Sequence, residues 1–176
     1  MIVSGLSGGG TVTTWLAQER SDVDMAVPIS PFLGIGFLLA PLTRSLTNLL
    51  LLAPDIHMWW DPIHKLENPH SASYSYRGYW LHSLLETMRL GFSAASDAGE
   101  VKPAASSILV ITNAHDDSVN NTVTAGFVEK WRNHGEEFLA TFEFPKDQKL
   151  PHDMITYTRP ESHPDIVYAK FLELVR

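Results

Sequence analysis

The sequence has no cysteine and few basic residues among its 176 positions. Without cysteine, the chain can form no disulfide bond, use no thiol nucleophile and hold no Cys-ligated zinc. Lys and Arg together number 13 and Asp and Glu number 20, which gives a formal net charge of -7. Because a surface that binds nucleic acid is basic, this charge argues against DNA or RNA as a partner.

The sequence also lacks an apolar run long enough to span a membrane. Residues 32–54 are strongly apolar, but proline and polar residues interrupt them and leave neither half near the ~20 apolar residues that a span needs. We therefore predict no transmembrane segment. No secretory signal or lipid-anchor motif is visible. The composition, with 44% hydrophobic and 19% charged residues, is that of a globular domain with a sizeable core.

What the sequence does contain is the pattern Gly-x-Ser-x-Gly at residues 5–9. The pattern follows the apolar residues 1–3 and precedes residues 8–20, in which apolar side chains recur at helical spacing. A serine on a sharp turn between a strand and a helix is typical of a nucleophile elbow, where glycines allow close backbone approach. Ser7 is therefore the candidate nucleophile. The alternative is an ordinary serine in a glycine-rich loop.

Apolar segments with strand and helix character alternate along the chain and predict an α/β fold. We predict a parallel sheet flanked by helices, because strands that alternate with helices form βαβ units. The predicted strands are residues 1–4, 25–29, 107–112 and 138–144, and the predicted helices are residues 8–20, 82–92, 120–134 and 160–175. An aromatic, histidine-rich segment does not follow this alternation and is predicted to be an inserted cap. The predicted parts are 1–31 with the elbow, 32–103 as the cap and 104–176 with the rest of the core.

Two later loops carry the residue types that activate a serine. One predicted strand runs into a loop with the adjacent carboxylates Asp116 and Asp117, and the last predicted strand runs into a loop with His152. In open α/β sheets, the loops at the carboxyl ends of the strands build the site. Serine, then acid, then histidine is the chain order of α/β-hydrolases.

On residues 5–9, 117–119 and 150–153, the chain resembles the C-terminal part of an α/β-hydrolase-fold serine esterase of the lysophospholipase-like family. The resemblance covers nearly the whole chain and is loose across the cap. In this family the acid is usually followed by x-Val, which favours Asp117; Asp116 is the alternative acid and could instead cap the turn before the next helix. The resemblance also implies that early strands and half of the oxyanion hole would precede Met1. We therefore expect a fragment with little activity on its own.

The resemblance implies a role for each site residue. Ser7 would attack the ester, His152 would act as base and then acid, Asp117 would orient the imidazole, and the backbone N–H of Gly8 would donate to the oxyanion. No cofactor is needed. The predicted function is a serine hydrolase that cleaves small-molecule carboxylic esters of apolar acyl groups through an acyl-enzyme. The alternatives are an acyltransferase or peptidase with the same triad, or a catalytically inactive truncated fragment.

The tryptophans of the predicted cap are candidate substrate contacts. Trp59, Trp60 and Trp80 all lie in this segment, and a cap over an active site lines the space that the substrate occupies. We therefore expect them to contact the acyl group.

The same segment contains a set of residues that could bind zinc. His57, Asp61 and His64 offer two imidazoles and a carboxylate. Pro62, however, interrupts any helix that would present them on one face. We therefore favour a structural role in the cap and predict no metal site.

Overall fold

The computed structural model of the chain describes residues 1–63, 76–157 and 162–175. The strands are β1 (Ile2–Leu6), β2 (Met25–Ile29), β3 (His57–Trp59), β4 (Gly78–Trp80), β5 (Ile108–Asn113) and β6 (Leu139–Phe144). The helices are α1 (Gly8–Glu19), α2 (Ala40–Leu50), α3 (Leu81–Asp97), α4 (Asn121–Arg132) and α5 (Pro164–Leu174). A short 3₁₀ helix covers Lys146–Gln148.

Four strands form one parallel sheet in the order β1-β2-β5-β6. The central strands β2 and β5 are buried on both faces, as parallel strands covered by helices are. On one face, Ala26 and Val110 join a core cluster with residues of α1, α3 and α4. On the other face, Val27 and Leu109 pack with Val167 of α5. The prediction of a parallel α/β sheet flanked by helices is confirmed.

The register of the sheet brings the carboxyl ends of its strands to one edge. Leu6 at the end of β1 lies beside Ile29 at the end of β2, and Asn113 at the end of β5 lies beside Phe144 at the end of β6. Because all four strands are parallel, the segments that follow them leave from that same edge. Ser7 and the two loops predicted to carry the acid and the histidine therefore start side by side.

Between β2 and β5 the chain forms the elements of the predicted cap. The strands β3 and β4 pair in an antiparallel ribbon. The helix α3 is longer than the predicted 82–92, and it packs along α1 with Ala94 in the same core cluster. Part of α3 therefore belongs to the core of the sheet, and the boundary of the cap at residue 103 stays a prediction.

The helix α2 was not predicted, although its leucines recur at helical spacing, and its burial runs against that apolar pattern. Its buried residues are Thr43 and Thr47, and the hydroxyl of Thr47 donates to the carbonyl of Thr43 over 2.8 Å. Its leucines Leu42 and Leu49 are exposed. The spacing of the leucines indicates a helix, but it would place Leu42 and Leu49 in the core, where the structure has Thr43 and Thr47 instead.

The last helix begins later than the predicted residue 160. It starts at Pro164, where proline at the first turn needs no N–H partner. Residues 160–161 of the predicted helix lie outside the described residues. Within the described ranges, no helix has both the length and the apolar character that a membrane span requires.

Candidate active site

Ser7 occupies a strained turn between the end of β1 and the start of α1. Its backbone has φ 56° and ψ -117°, a conformation that L-residues rarely adopt. The Ser7 N–H donates to the Ile29 carbonyl, and the Ser7 carbonyl accepts from the N–H groups of Thr11 and Phe32, each over 3.0 Å. A strained residue persists where its surroundings hold it in place, and these three bonds do so here.

The glycines around Ser7 differ in how tightly they are packed. A Cβ on Gly5 would lie 2.4 Å from backbone atoms of Gly9, and one on Gly10 would lie 2.8 Å from the carbonyl oxygen of Ile29. A Cβ on Gly9 would meet nothing within 4 Å. The sharp turn therefore requires glycine at position 5, where the strand passes closest to the helix.

Gly8 begins α1, directly after Ser7. The first N–H groups of an α-helix have no carbonyl partner within the helix, and they carry the positive end of its dipole. Thr11 is the residue whose N–H bonds back to the Ser7 carbonyl. The N–H of Gly8 therefore lies at a helix end that suits an anion beside the serine.

His152 and Asp116 form a close pair across the two loops. Nδ1 of His152 lies 2.7 Å from Oδ2 of Asp116. The Asp116 side chain has no exposed surface, and the His152 side chain is 22% exposed. The other carboxylate oxygen of Asp116 accepts the N–H of Ser118 over 3.0 Å and that of Val119 over 3.4 Å. The backbone turn of residues 116–119 thus holds one carboxylate oxygen of Asp116 and leaves the other free to contact His152.

The pKa of Asp116 is set by opposing effects. Burial of the carboxylate raises it, whereas the hydrogen bond and charge of His152 and the N–H groups of Ser118 and Val119 lower it. The balance holds the pKa of Asp116 below its ordinary value. The carboxylate is therefore ionised at neutral pH, and it can stabilise a proton on the imidazole.

The carboxylate that meets His152 is not that of Asp117, as predicted, but that of the alternative, Asp116. Asp117 is exposed, and its carboxylate accepts the Ser118 hydroxyl over 3.4 Å. The two roles considered for Asp116 turn out to be compatible, since one oxygen caps the turn and the other contacts the imidazole. An aspartate that accepts the N–H two residues later forms an Asx turn, as Asp116 does with Ser118. Aspartate is a common residue in such turns, so the sequence contained a signal for this arrangement.

Ser7 and His152 line one cavity of about 660 Å³, within the size range of small-molecule sites. Its polar lining also includes Ser118 and Asp153. The rest of the lining is apolar or aromatic and comes from the loop after β2, from the β3–β4 ribbon and from the start of α3: Phe32, Ile35, Phe37, Met58, Trp60, Tyr76, Tyr79, Leu81 and Leu84, with Leu6 and Val119 at the strand ends.

The three tryptophans predicted to contact substrate lie in different places. Trp60 lines the cavity, with its ring centroid 4.1 Å from that of Tyr79. Trp59 and Trp80 instead pack edge-on against the ring of His57, at 4.9 and 5.4 Å. Successive side chains of a strand point to opposite faces, so neighbouring tryptophans of the ribbon separate.

The ribbon contributes cavity residues that the sequence analysis did not select. Met58 pairs with Tyr79 across the two strands, and both line the cavity. The alternation of side chains along 57–60 could have indicated them, but only once the ribbon itself was known.

The residues considered for zinc do not form a site in the described part of the chain. Within it, no group of three or more His, Asp or Glu side chains could hold a metal ion. His57 is packed between Trp59 and Trp80, and His64 lies outside the described residues.

The chain was compared with known proteins by sequence and by structure. No family model matches the sequence, and no curated protein matches it either. Solved structures do match. A monoacylglycerol lipase from Paleococcus ferrophilus superimposes with a TM-score of 0.68 at 16% identity, over 98% of this chain and 66% of the lipase. The chain has the α/β-hydrolase fold.

Two further structures of the same fold class show how broad the likeness is. A monoglyceride lipase from Saccharomyces cerevisiae superimposes with a TM-score of 0.65 at 9% identity, over 97% of this chain and 62% of the lipase. An acylaminoacyl peptidase from Pyrococcus horikoshii superimposes with a TM-score of 0.54 at 16% identity, over 98% of this chain and 23% of the peptidase. The chain thus spans about two thirds of each lipase.

Proposed function

We propose that the protein is a serine hydrolase that cleaves carboxylic esters with an apolar acyl group. Ser7 is the nucleophile, His152 the general base and acid, and Asp116 the residue that orients the imidazole. The observation that carries this proposal is the pairing of His152 with the buried carboxylate of Asp116, 2.7 Å away, beside a cavity that Ser7 also lines.

The reaction follows from the chemistry of these groups. With Nδ1 of His152 bound to Asp116, Nε2 is the nitrogen that takes the proton from the Ser7 hydroxyl as its oxygen attacks the acyl carbon. The protonated imidazole then gives that proton to the leaving alcohol, and an ester bond to Ser7 replaces the original one. Water repeats the sequence and releases the acid.

The oxyanion of the intermediate needs hydrogen-bond donors near the start of α1. The N–H of Gly8 is the proposed first donor, since it follows the nucleophile at a helix N-terminus. The similarity to α/β-hydrolases suggests a second donor from a loop earlier in the fold. Loss of one such donor costs about 10²–10³ in rate in a serine hydrolase.

The cavity lining supports an apolar acyl group as the part of the substrate that is bound. Trp60, Tyr79 and Met58 form an apolar wall, whereas Ser7, Ser118, His152 and Asp153 are the polar part of the lining. An alkyl chain buried on that wall is stabilised by about 0.8 kcal/mol per CH₂ group. The proposed substrates are therefore uncharged esters with an alkyl or aryl acyl part.

The test of the nucleophile is covalent labelling with a fluorophosphonate probe. With the segment that supplies the second oxyanion donor present, we expect the wild-type protein to be labelled, and Ser7→Ala to lose both labelling and hydrolysis of p-nitrophenyl butyrate. Ser4→Ala is the matched control, because it removes an exposed serine of the same strand. Labelling that persists in Ser7→Ala would exclude Ser7 as the nucleophile.

A peptidase or an acyltransferase with the same three residues is the second candidate, and the likeness to an acylaminoacyl peptidase is its support. Product analysis separates the candidates. With an ester, the matching amide and a competing alcohol supplied together, a hydrolase forms mainly the free acid from the ester. Preferential cleavage of the amide would favour the peptidase, and transfer to the alcohol would favour the acyltransferase.

A further inference from the structure

Asn113, the last residue of β5, is fully buried at the edge of the sheet where the candidate site lies. A buried amide is costly unless its hydrogen-bonding groups are satisfied. Here the side-chain NH₂ donates to the carbonyls of Leu150 and Pro151, over 2.9 and 3.2 Å, and the side-chain oxygen accepts the N–H of His115 over 3.0 Å. Both donors and the acceptor of this amide are therefore used.

These bonds connect two loops that come from different strands. Leu150 and Pro151 are the residues directly before His152, and His115 is the residue directly before Asp116. The backbone carbonyl of Asn113 also accepts the N–H of Asp116 over 3.1 Å. One buried side chain thus contacts the immediate neighbour of both members of the His152–Asp116 pair.

We propose that Asn113 is a positioning residue. It holds the loop that carries His152 against the turn that carries Asp116, and so sets the contact between these two side chains. This inference rests on the proposed function. An aliphatic residue at the same place would fill the space, but the Pro151 carbonyl would lose its donor and the Leu150 carbonyl would keep only the longer contact with Nδ1 of His115, at 3.3 Å. The loop would then be free to shift, and a displacement of about 1 Å in a catalytic group can cost 10²-fold in rate.

Asn121 offers a control for the loss of an amide at the same end of the sheet, and its side chain is half-buried. Its side-chain NH₂ donates to the backbone carbonyl of Asn113 over 2.8 Å, from the first turn of α4. It has no bond to the loop that carries His152 among the described hydrogen bonds. Asn121→Ala should therefore lower the melting temperature without altering the His152–Asp116 contact.

The test compares Asn113→Ala, Asn113→Ser and Asn121→Ala by two readouts. The first is the low-field proton resonance of the His152 Nδ1–H bound to Asp116, recorded well below the melting temperature. We expect Asn113→Ala to lose or broaden it and Asn121→Ala to keep it. Asn113→Ser retains one donor and is the smaller change, so it should weaken the signal even if Asn113→Ala does not fold.

The second readout is the split between kcat and KM. We expect Asn113→Ala to lower kcat about 10²-fold, with KM within about threefold of wild type. The inference would be overturned if the Asn113 variants kept both the resonance and kcat at the values of Asn121→Ala. The resonance does not depend on ester hydrolysis, so failure of the proposed function would remove only the kinetic readout.

Discussion

Gly36 packs against the backbone of Asp117 so closely that a Cβ on residue 36 would lie 1.9 Å from the Asp117 carbonyl oxygen. The Gly36 N–H also donates to the carbonyl of Ser118 over 3.1 Å. The first segment of the predicted cap is thereby bonded to the turn that positions Asp116. A change at position 36 should be felt at the candidate site, although Gly36 has no role in the chemistry.

We predict that Gly36→Ala lowers kcat/KM for a short ester by about 10²-fold. The added methyl group meets backbone rather than a flexible side chain, so the turn has to move and carries Asp116 away from His152. The measurement is the hydrolysis of p-nitrophenyl acetate by the folded variant.

The control for that experiment is Gly126→Ala. Gly126 lies inside α4, and a Cβ there would meet nothing within 4 Å. Alanine in a helix interior is more stable than glycine by about 1 kcal/mol, so this variant should melt higher and keep its activity. Equal activities of the two glycine variants would show that the Gly36 contact does not control the turn.

The two glycines of the Gly-x-Ser-x-Gly pattern should respond differently to the same change. We predict that Gly5→Ala destabilises the protein by at least about 1–3 kcal/mol, because the new methyl group overlaps the backbone of Gly9. Gly9→Ala should be neutral or slightly stabilising, since the space there is open and the position is helical. Chemical denaturation of both variants gives the comparison. Similar losses of unfolding free energy would contradict the steric account.

The sequence predicted those parts of the molecule that depend on local pattern. The turn at Ser7, the parallel sheet and the helices α1 and α4 all follow from short-range signals of glycine spacing and apolar periodicity. The choice between Asp116 and Asp117 could not follow, because it depends on which carboxylate meets a histidine 36 residues away in the chain. The family preference for x-Val after the acid favoured Asp117, whereas the carboxylate in contact with His152 is that of Asp116.

The cap was the least predictable part, for a different reason. Trp59 and Trp60 are chemically identical neighbours, and only the pairing of β3 with β4 decides which of them faces the cavity. The helix α2 fully buries Thr43 and Thr47 and leaves Leu42 and Leu49 exposed, so its apolar pattern does not show which side packs inward. Both features depend on contacts between distant segments rather than on composition.

Exchange of each carboxylate for its amide tests the role proposed for Asp116. We predict that Asp116→Asn lowers kcat by about 10⁴, because an amide cannot stabilise the imidazolium and favours the wrong tautomer. Asp117→Asn is the matched control, and it should stay within about threefold of wild type, because Asp117 is exposed and does not contact His152. A larger loss of kcat in Asp117→Asn than in Asp116→Asn would show that Asp117 is the acid.

Substrate preference should depend on Trp60 and not on Trp59. We predict that Trp60→Ala lowers the ratio of kcat/KM for p-nitrophenyl octanoate to that for the acetate by about tenfold, since the long acyl group loses an apolar contact. Trp59→Ala removes an equally large ring from the other face of the ribbon, and should leave the ratio unchanged. A shift of the same size in both variants would mean that the ribbon acts only as a structural support.

The lowered pKa of Asp116 predicts how stability depends on pH. A carboxylate whose pKa is lower in the folded than in the unfolded protein binds fewer protons when folded, so it stabilises the fold above its unfolded pKa. That contribution is lost as the pH falls from the ordinary value of 3.8 through the lower folded value. The free energy of unfolding should therefore decrease as the pH is lowered below about 4.

Urea denaturation at about pH 7 and at about pH 3 measures this dependence in wild type, Asp116→Asn and Asp117→Asn. We expect Asp116→Asn to be less stable than wild type at neutral pH, because His152 and the turn lose the buried carboxylate that they contact. Its loss of stability on acidification should be smaller than that of wild type, since the group that gains a proton is absent. Asp117→Asn should keep the wild-type dependence, as its side chain is exposed. An unchanged acid dependence in Asp116→Asn would mean that the contact with His152 does not stabilise the ionised carboxylate.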